Sequence, residues 1–303
     1  MLEINKLDTE QPNSNTRDID KLDTLGIVKL INNEDKKIAD SIELVLPKIA
    51  EAIDAIYDRL KNGGRLVYIG AGTSGRLGLL DAVECPPTFG VNYEMVTALL
   101  AGGTNAFVKA VEGAEDNEDL GAVDLDEIGF SDRDVLVGIA ASGRTPYVTG
   151  AMRYAKKIGS FTISLACSQN SAISAHADVD IALQPGPEVI TGSTRMKSGT
   201  AQKMVLNMLS TVPMIKLGKT FGNLMVDLKA TNEKLICRAI NIVCLATGTD
   251  ESTAMDTLHK CDFSAKNAIL MILANVDYPA AKNALSKNEG RIYSALNYLN
   301  KGD

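Results

Sequence analysis

From Ile38 the apolar residues fall at 38, 42, 45, 49, 53, 56 and 60, in steps of three and four, which places them on one helix face. Pro47 within that run is expected to kink or divide the helix, and Gly63-Gly64 to end it. The pattern then changes. Leu66 to Gly70 is a short continuous apolar run, broken by Ala71-Gly72-Thr73-Ser74-Gly75 and resumed at helical spacing, which reads as strand, tight loop and helix. Cys85-Pro86-Pro87 is expected to stop that helix. Further strands are expected over Tyr93 to Leu99, Asp134 to Ala141, Ser160 to Ala166 and Val179 to Leu183, and a long core helix over Met196 to Val212 that Pro213 kinks or ends. Strands alternating with helices imply an α/β fold, a parallel sheet covered by helices on both faces.

Beyond about residue 220 no strand signal remains. Leu235 to Ala246, Thr253 to His259, Ala265 to Leu273 and Pro279 to Leu285 are short amphipathic patterns that predict a small helical appendage. At the other end, residues 1 to 20 are polar without an apolar period and read as an arm. These shifts divide the chain into an N-terminal arm and helix (1–34), a sheet domain (35–222) and a helical subdomain (223–303).

The strand–loop–helix junction at 66–80 is the centre of the pattern. Free N–H groups and the positive end of the dipole at such a helix start favour an anion. Gly70, Gly72 and Gly75 also satisfy a dinucleotide fingerprint, which needs an acidic residue about 20 residues on to hold the ribose. The second strand instead runs out into Leu100-Ala101-Gly102-Gly103, and Glu94 lies at its wrong end. A single phosphate is therefore the better expectation.

Ligands of open parallel sheets sit beyond the carboxyl ends of the strands. Three loops there carry hydroxyls: Thr73 and Ser74, then Ser142 and Thr145, then Ser193 and Thr194. Each alone reads as a helix cap, but three at one sheet edge can wrap a phosphate dianion with little formal charge. No Walker A sequence occurs, so nucleotide phosphoryl transfer is not expected and the phosphate is a handle. With only two histidines, His176 and His259, general acid–base work falls to carboxylates. Glu84, at the expected helix end, and Glu115, at an expected helix start after Gly113, are the candidates. Spacing alone reads both as surface carboxylates.

Composition narrows the picture. A net charge of −7 argues against a nucleic-acid or anionic-membrane surface. The five cysteines are odd in number, scattered, and without a C-x-x-C pair, which fits a reducing cytoplasm and packing roles. Neither histidine has a second ligand at metal spacing. No signal peptide and no apolar span appear, so the expectation is a soluble cytoplasmic protein.

Five stretches carry a resemblance: Gly-Ala-Gly-Thr-Ser-Gly-Arg at 70–76, Glu-Cys-Pro-Pro-Thr-Phe-Gly at 84–90, Val-Glu-Gly-Ala-Glu-Asp at 111–116, Ala-Ala-Ser-Gly-Arg-Thr-Pro-Tyr at 140–147, and Thr-Gly-Ser-Thr-Arg-Met-Lys-Ser-Gly-Thr-Ala-Gln-Lys at 191–203. They resemble the sugar isomerase (SIS) domain and, over essentially the whole chain, the bacterial N-acetylmuramic acid 6-phosphate etherases. The resemblance implies an SIS-type sheet with a ubiquitin-associated-like three-helix tail. It implies cleavage of the lactyl ether of N-acetylmuramic acid 6-phosphate to N-acetylglucosamine 6-phosphate and D-lactate, without metal or organic cofactor. The implied route is elimination and hydration on the open-chain sugar, with Glu84 as proton donor and Glu115 as base. Ser74, Ser142 and Thr145 are implied to hold the phosphate, with Thr73 beside them and Ser193 and Thr194 closing the sugar site. Arg144 and Arg195 are weaker candidates, since either can pair with a structural carboxylate. A homodimer with its site near the subunit interface is also implied. Two rivals stay open: an aldose–ketose isomerase, which moves the same proton, and a sugar-phosphate sensor.

Overall fold

Leu66–Gly70 (β1) is apolar and buried at all five positions, as a strand covered on both faces must be. In the computed structural model, which describes residues 8–109, 111–228, 230 and 232–301, β1 pairs in parallel with Val96–Leu100 (β2) and Val135–Ala140 (β3). Phe161–Ala166 (β4) and Val179–Ala182 (β5) continue the parallel sheet, whose order is β2-β1-β3-β4-β5. The chain reverses its direction of travel across the sheet between β1 and β3. In doubly wound sheets that point is where ligands bind.

Thr24–Asp35 (α1) starts at Asp23, whose carboxylate accepts from the Gly26 N–H. The expected apolar stripe follows on two helices, Lys37–Glu43 (α2) and Leu46–Lys61 (α3), divided next to Pro47. Ile38, Ile42, Ile49, Ile53, Ile56 and Leu60 are all buried. Gly63, at φ +81°, ends α3.

The helix after β1, Gly72–Phe89 (α4), is longer than expected. It runs through Pro86 and Pro87, and ends at Gly90 with φ +64°. Two intrahelical bonds are lost to the prolines. Burial of Cys85 and Phe89, and the bond from the Gly90 N–H to the Pro86 carbonyl (2.9 Å), hold the last turn in spite of that. Glu118–Glu127 (α5) is capped by Asn117. Pro146–Lys157 (α6) packs on it closely: a Cβ on Gly121 would stand 2.1 Å from the Tyr147 carbonyl oxygen. Val67, Ile69, Leu136, Val148, Ala151 and Met152 form one core on this side of the sheet.

Lys197–Lys216 (α7) does not end at its proline, Pro213, but continues to Lys216. Pro213 and Met214 are buried, and the Leu217 N–H returns to the Pro213 carbonyl at 2.8 Å. Two short strands, Thr220–Phe221 (β6) and Leu224–Met225 (β7), form a hairpin that the sequence pattern does not show. Two residues per strand are too few for a period, and Gly222 supplies the turn at φ +55°.

Five helices follow: Glu233–Thr247 (α8), Glu251–His259 (α9), Ala265–Ala274 (α10), Tyr278–Lys287 (α11) and Ile292–Asn300 (α12). The first four start at capping side chains, Asn232, Asp250, Ser264 and Asp277. The structure resolves into two compact units, residues 1–83 with 94–210, and residues 84–93 with 211–303, so α4 and α7 each contribute to both. The second unit has its own core, including Val243, Leu258, Ile269, Leu285 and Ile292. Its Asp227 carboxylate takes ion pairs from Lys266 (2.6 Å) and Lys219 (3.1 Å).

Candidate functional site

Three segments that end sheet strands or start helices converge on one cavity of about 450 Å³ in the first unit. The loop after β1 contributes Ala71 to Ser74, the loop after β3 contributes Ala141, Ser142, Arg144 and Thr145, and the segment before α7 contributes Thr194. Glu115 and Asp116 lie on its wall, and so does Glu10 from the arm. The volume is within the usual range for a small-molecule site.

The first loop depends on two close approaches. A Cβ on Gly75 would stand 2.5 Å from the Gly70 carbonyl oxygen, and one on Gly70 would stand 2.7 Å from the Gly75 nitrogen. Only glycine at both lets α4 start directly against β1. Gly72 has φ +52° and open space around it, so the start of α4 faces the cavity uncovered. Ser74 is buried, and its hydroxyl donates to Gln202 Oε1 at 2.9 Å. Arg76 is held elsewhere, donating to the carbonyls of Ala106 (2.7 Å) and Phe107 (3.0 Å).

In the second loop Gly143 adopts φ +66°, and Ser142 Oγ accepts from the Arg144 N–H at 3.3 Å. Thr145 stands at the N-cap of α6 without forming a side-chain cap. Its hydroxyl is therefore not used by the helix it precedes, and Pro146 supplies a first-turn residue that has no N–H to satisfy.

Glu115 lies in a turn just before α5 rather than at the helix start. Gly113 bends the chain there at φ +77°, and the Tyr147 N–H donates to the Glu115 carbonyl at 3.0 Å. That bond fixes the Glu115 backbone to the first turn of α6, beside the second hydroxyl loop. The Glu115 side chain is exposed on the cavity wall.

The third segment is built on buried charge. Glu188 is fully buried, and its carboxylate accepts from the Lys197 N–H (2.8 Å) and the Ser198 N–H (2.9 Å), capping α7. The Lys197 side chain, 2 % exposed, reaches Glu34 at 3.0 Å and the Pro187 carbonyl at 3.1 Å. Burial alone pushes the Glu34 carboxyl up. Hydrogen bonds from Lys37, Asn13, Asn15 and Lys197 outweigh it and bring Glu34 down from 4.5 to about 2. Asn13 also donates to the Pro187 carbonyl (3.2 Å) and Thr16 to the Val189 carbonyl (2.8 Å). The polar arm read from the sequence is thus bound to the loop that leads to Thr194; its first seven residues lie outside the described ones.

Of the residues expected at the site, the cavity brings together Thr73, Ser74, Glu115, Ser142, Arg144, Thr145 and Thr194. Ser193 and Glu84 are not among its lining residues. Glu84 is exposed on α4. Sequence reasoning passed over Glu10 and Asp116 as cavity residues, and over the Glu34–Lys197 pair, because none belongs to a periodic pattern and their partners lie far along the chain. Among the described residues no group of three His, Cys, Asp or Glu side chains is placed to hold a metal ion, and no helix is long and apolar enough to cross a membrane.

Comparison with known proteins agrees with this architecture. Residues 48–156 match the glucokinase regulatory protein N-terminal SIS domain model, and residues 127–212 the SIS domain model. A phosphoheptose isomerase structure from Francisella tularensis superposes with a TM-score of 0.51 at 18 % identity, covering 64 % of this chain and all of that one, and shows the fold alone. Two full-length relatives are far more similar. The N-acetylmuramic acid 6-phosphate etherase of Clostridium beijerinckii is 55 % identical over 97 % of both chains. That of Aliivibrio fischeri (strain MJ11) is 53 % identical over 97 % of this chain and 98 % of its own. Likeness at that level over nearly the whole length places the chain in the N-acetylmuramic acid 6-phosphate etherase family.

Proposed function

We propose that the chain cleaves the D-lactyl ether of N-acetylmuramic acid 6-phosphate with water, giving N-acetylglucosamine 6-phosphate and D-lactate. The observation that carries this reading at the site is the convergence of three hydroxyl loops and Glu115 on one cavity at the sheet's switch point. Hydroxyls of Ser142, Thr145 and Thr194, and the N-terminal N–H groups of α4, supply donors for a phosphate dianion, with Ser74 on the same wall and its hydroxyl turned to Gln202. Thr73 shares that wall, and Ser193 is placed by the resemblance beside Thr194. Arg144 is the cation of the cavity lining.

With the phosphate held there, Glu115 takes the proton from C2 of the open-chain sugar. The electron pair forms the C2–C3 double bond as the C3–O bond breaks, and the lactate oxygen takes a proton from Glu84. Water then adds its oxygen to C3, and C2 regains a proton. The base works on a carbon acid and the acid on a poor leaving group, so each carboxyl has a separate task.

Glu84 does not line the cavity of this chain. Its role as proton donor rests on the resemblance, as does a homodimer with its site near the subunit interface. The sheet domain (35–222) is the catalytic body, the arm and first helix (1–34) complete its wall, and residues 223–303 form an appendage. The location that fits a phosphorylated amino sugar is the cytoplasm, in recovery of cell-wall sugars. Neither metal nor organic cofactor enters the route.

D-lactate release from N-acetylmuramic acid 6-phosphate tests the reading, with Glu84→Gln and Glu115→Gln run alongside. Rapid release that both substitutions abolish is the expected result. A ketose phosphate product with no lactate would instead favour the aldose–ketose isomerase.

A further inference from the structure

Glu10 is the arm's contribution to the cavity wall. It ends the short turn Asp8–Glu10, three residues before Asn13, which is fastened to Glu34 and to the Pro187 carbonyl. Thr16 fastens the same arm to the Val189 carbonyl. Opposite Glu10 the loop carries Gly192 at φ +75°, and a Cβ there would stand 3.0 Å from Glu10 Oε2. The carboxylate therefore rests against a bare glycine, in space that any other residue at 192 would narrow. The side-chain bonds of Asn13 and Thr16 fasten the arm to the 187–189 loop, and Gly192 leaves room for the Glu10 carboxylate on the wall that Thr194 also lines.

A carboxylate at that place has a restricted choice of partner. It repels a phosphate dianion and a lactyl carboxylate alike, and the hydroxyl loops already provide the donors for the phosphate. It is an acceptor without a proton to give when ionised, so what it can bind is a donor on the ligand. We infer that Glu10 is a specificity-determining residue that accepts a hydrogen bond from a hydroxyl of the bound sugar, so that the cavity selects a sugar phosphate over bare phosphate. This rests on the reading of the cavity as a sugar-phosphate site. It assigns the arm a direct role in ligand recognition, separate from the acid and base.

The two probes of the test are inorganic phosphate and N-acetylglucosamine 6-phosphate, titrated by calorimetry into the unmodified chain, Glu10→Gln and Glu10→Ala. Losing a charge-assisted hydrogen bond weakens the sugar phosphate about tenfold. Losing a negative charge from the cavity leaves inorganic phosphate unchanged or binds it more tightly. These opposite directions separate ligand contact from damage to the arm, which weakens both probes together. In turnover, the substitutions raise KM with a smaller effect on kcat. Equal weakening of both probes, no change in either, or no preference for the sugar phosphate in the unmodified chain would each overturn the assignment. Absence of lactate release by a chain that shows the Glu10 effect would contradict the etherase reading alone.

Discussion

Replacing Lys197 by Met removes the buried one of the two ammoniums, Lys197 and Lys37, that hold the Glu34 carboxylate, and keeps most of the side chain's volume. The depression of Glu34 from 4.5 to about 2 corresponds to about 3 kcal/mol of native-state stability. Lys197 supplies one of four hydrogen bonds there, and its removal takes the buried one of two ammoniums on Glu34 while Lys37 stays paired to Oε1. Losing one hydrogen bond to a charged group costs about 1.5–3 kcal/mol, a sizeable part of the roughly 5–15 kcal/mol typical of a folded protein. The sign with pH follows from the depressed value. Glu34's contribution is complete above its ordinary value of 4.5 and is lost as pH falls through about 2. In Lys197→Met the carboxyl protonates at a higher pH, so the gap between unmodified and substituted chains narrows between pH 5 and pH 3. Urea unfolding followed by circular dichroism at both pH values measures this. Adding Glu34→Gln to Lys197→Met should cost less than Glu34→Gln costs in the unmodified chain, since the carboxylate has already lost one of its two ammonium partners. A penalty below about 1 kcal/mol at neutral pH, or one that does not change with pH, would refute the reasoning.

Gly75→Ala places a Cβ 2.5 Å from the Gly70 carbonyl oxygen and 2.5 Å from Leu100 Cδ1; a loss of about 2–3 kcal/mol is expected from the forced separation of β1 and α4, read as a lowered Tm. Thr145→Val removes a hydroxyl that forms no cap on α6. It should leave Tm nearly unchanged while weakening competitive inhibition by inorganic phosphate about fivefold, and a drop in Tm without a change in inhibition would assign the hydroxyl to folding.

The central strands are legible in the sequence because burial on both faces makes them uninterrupted apolar runs, as in Leu66 to Gly70 and Val135 to Ala140. Four of the five terminal helices are legible from their amphipathic stripes, and the fifth, Ile292–Asn300, is missing from that reading. Pro86 and Pro213 mislead, because a proline's local cost is overridden where Cys85, Phe89 and Met214 are buried around it. The β6–β7 hairpin is too short to have a period. At the site, the hydroxyl loops announce themselves through glycine spacing, whereas Glu10 and the Glu34–Lys197 pair depend on contacts across about 160 residues or more of chain. No local pattern encodes those contacts.

Cleavage by elimination and hydration is tested most directly by running the reaction in D₂O enriched with ¹⁸O and analysing both products by mass spectrometry and NMR. The expected sugar carries solvent oxygen at C3 and deuterium at C2, and the D-lactate keeps the ether oxygen unlabelled. Solvent oxygen in the lactate, or a sugar that retains the original hydrogen at C2, would contradict proton removal by Glu115.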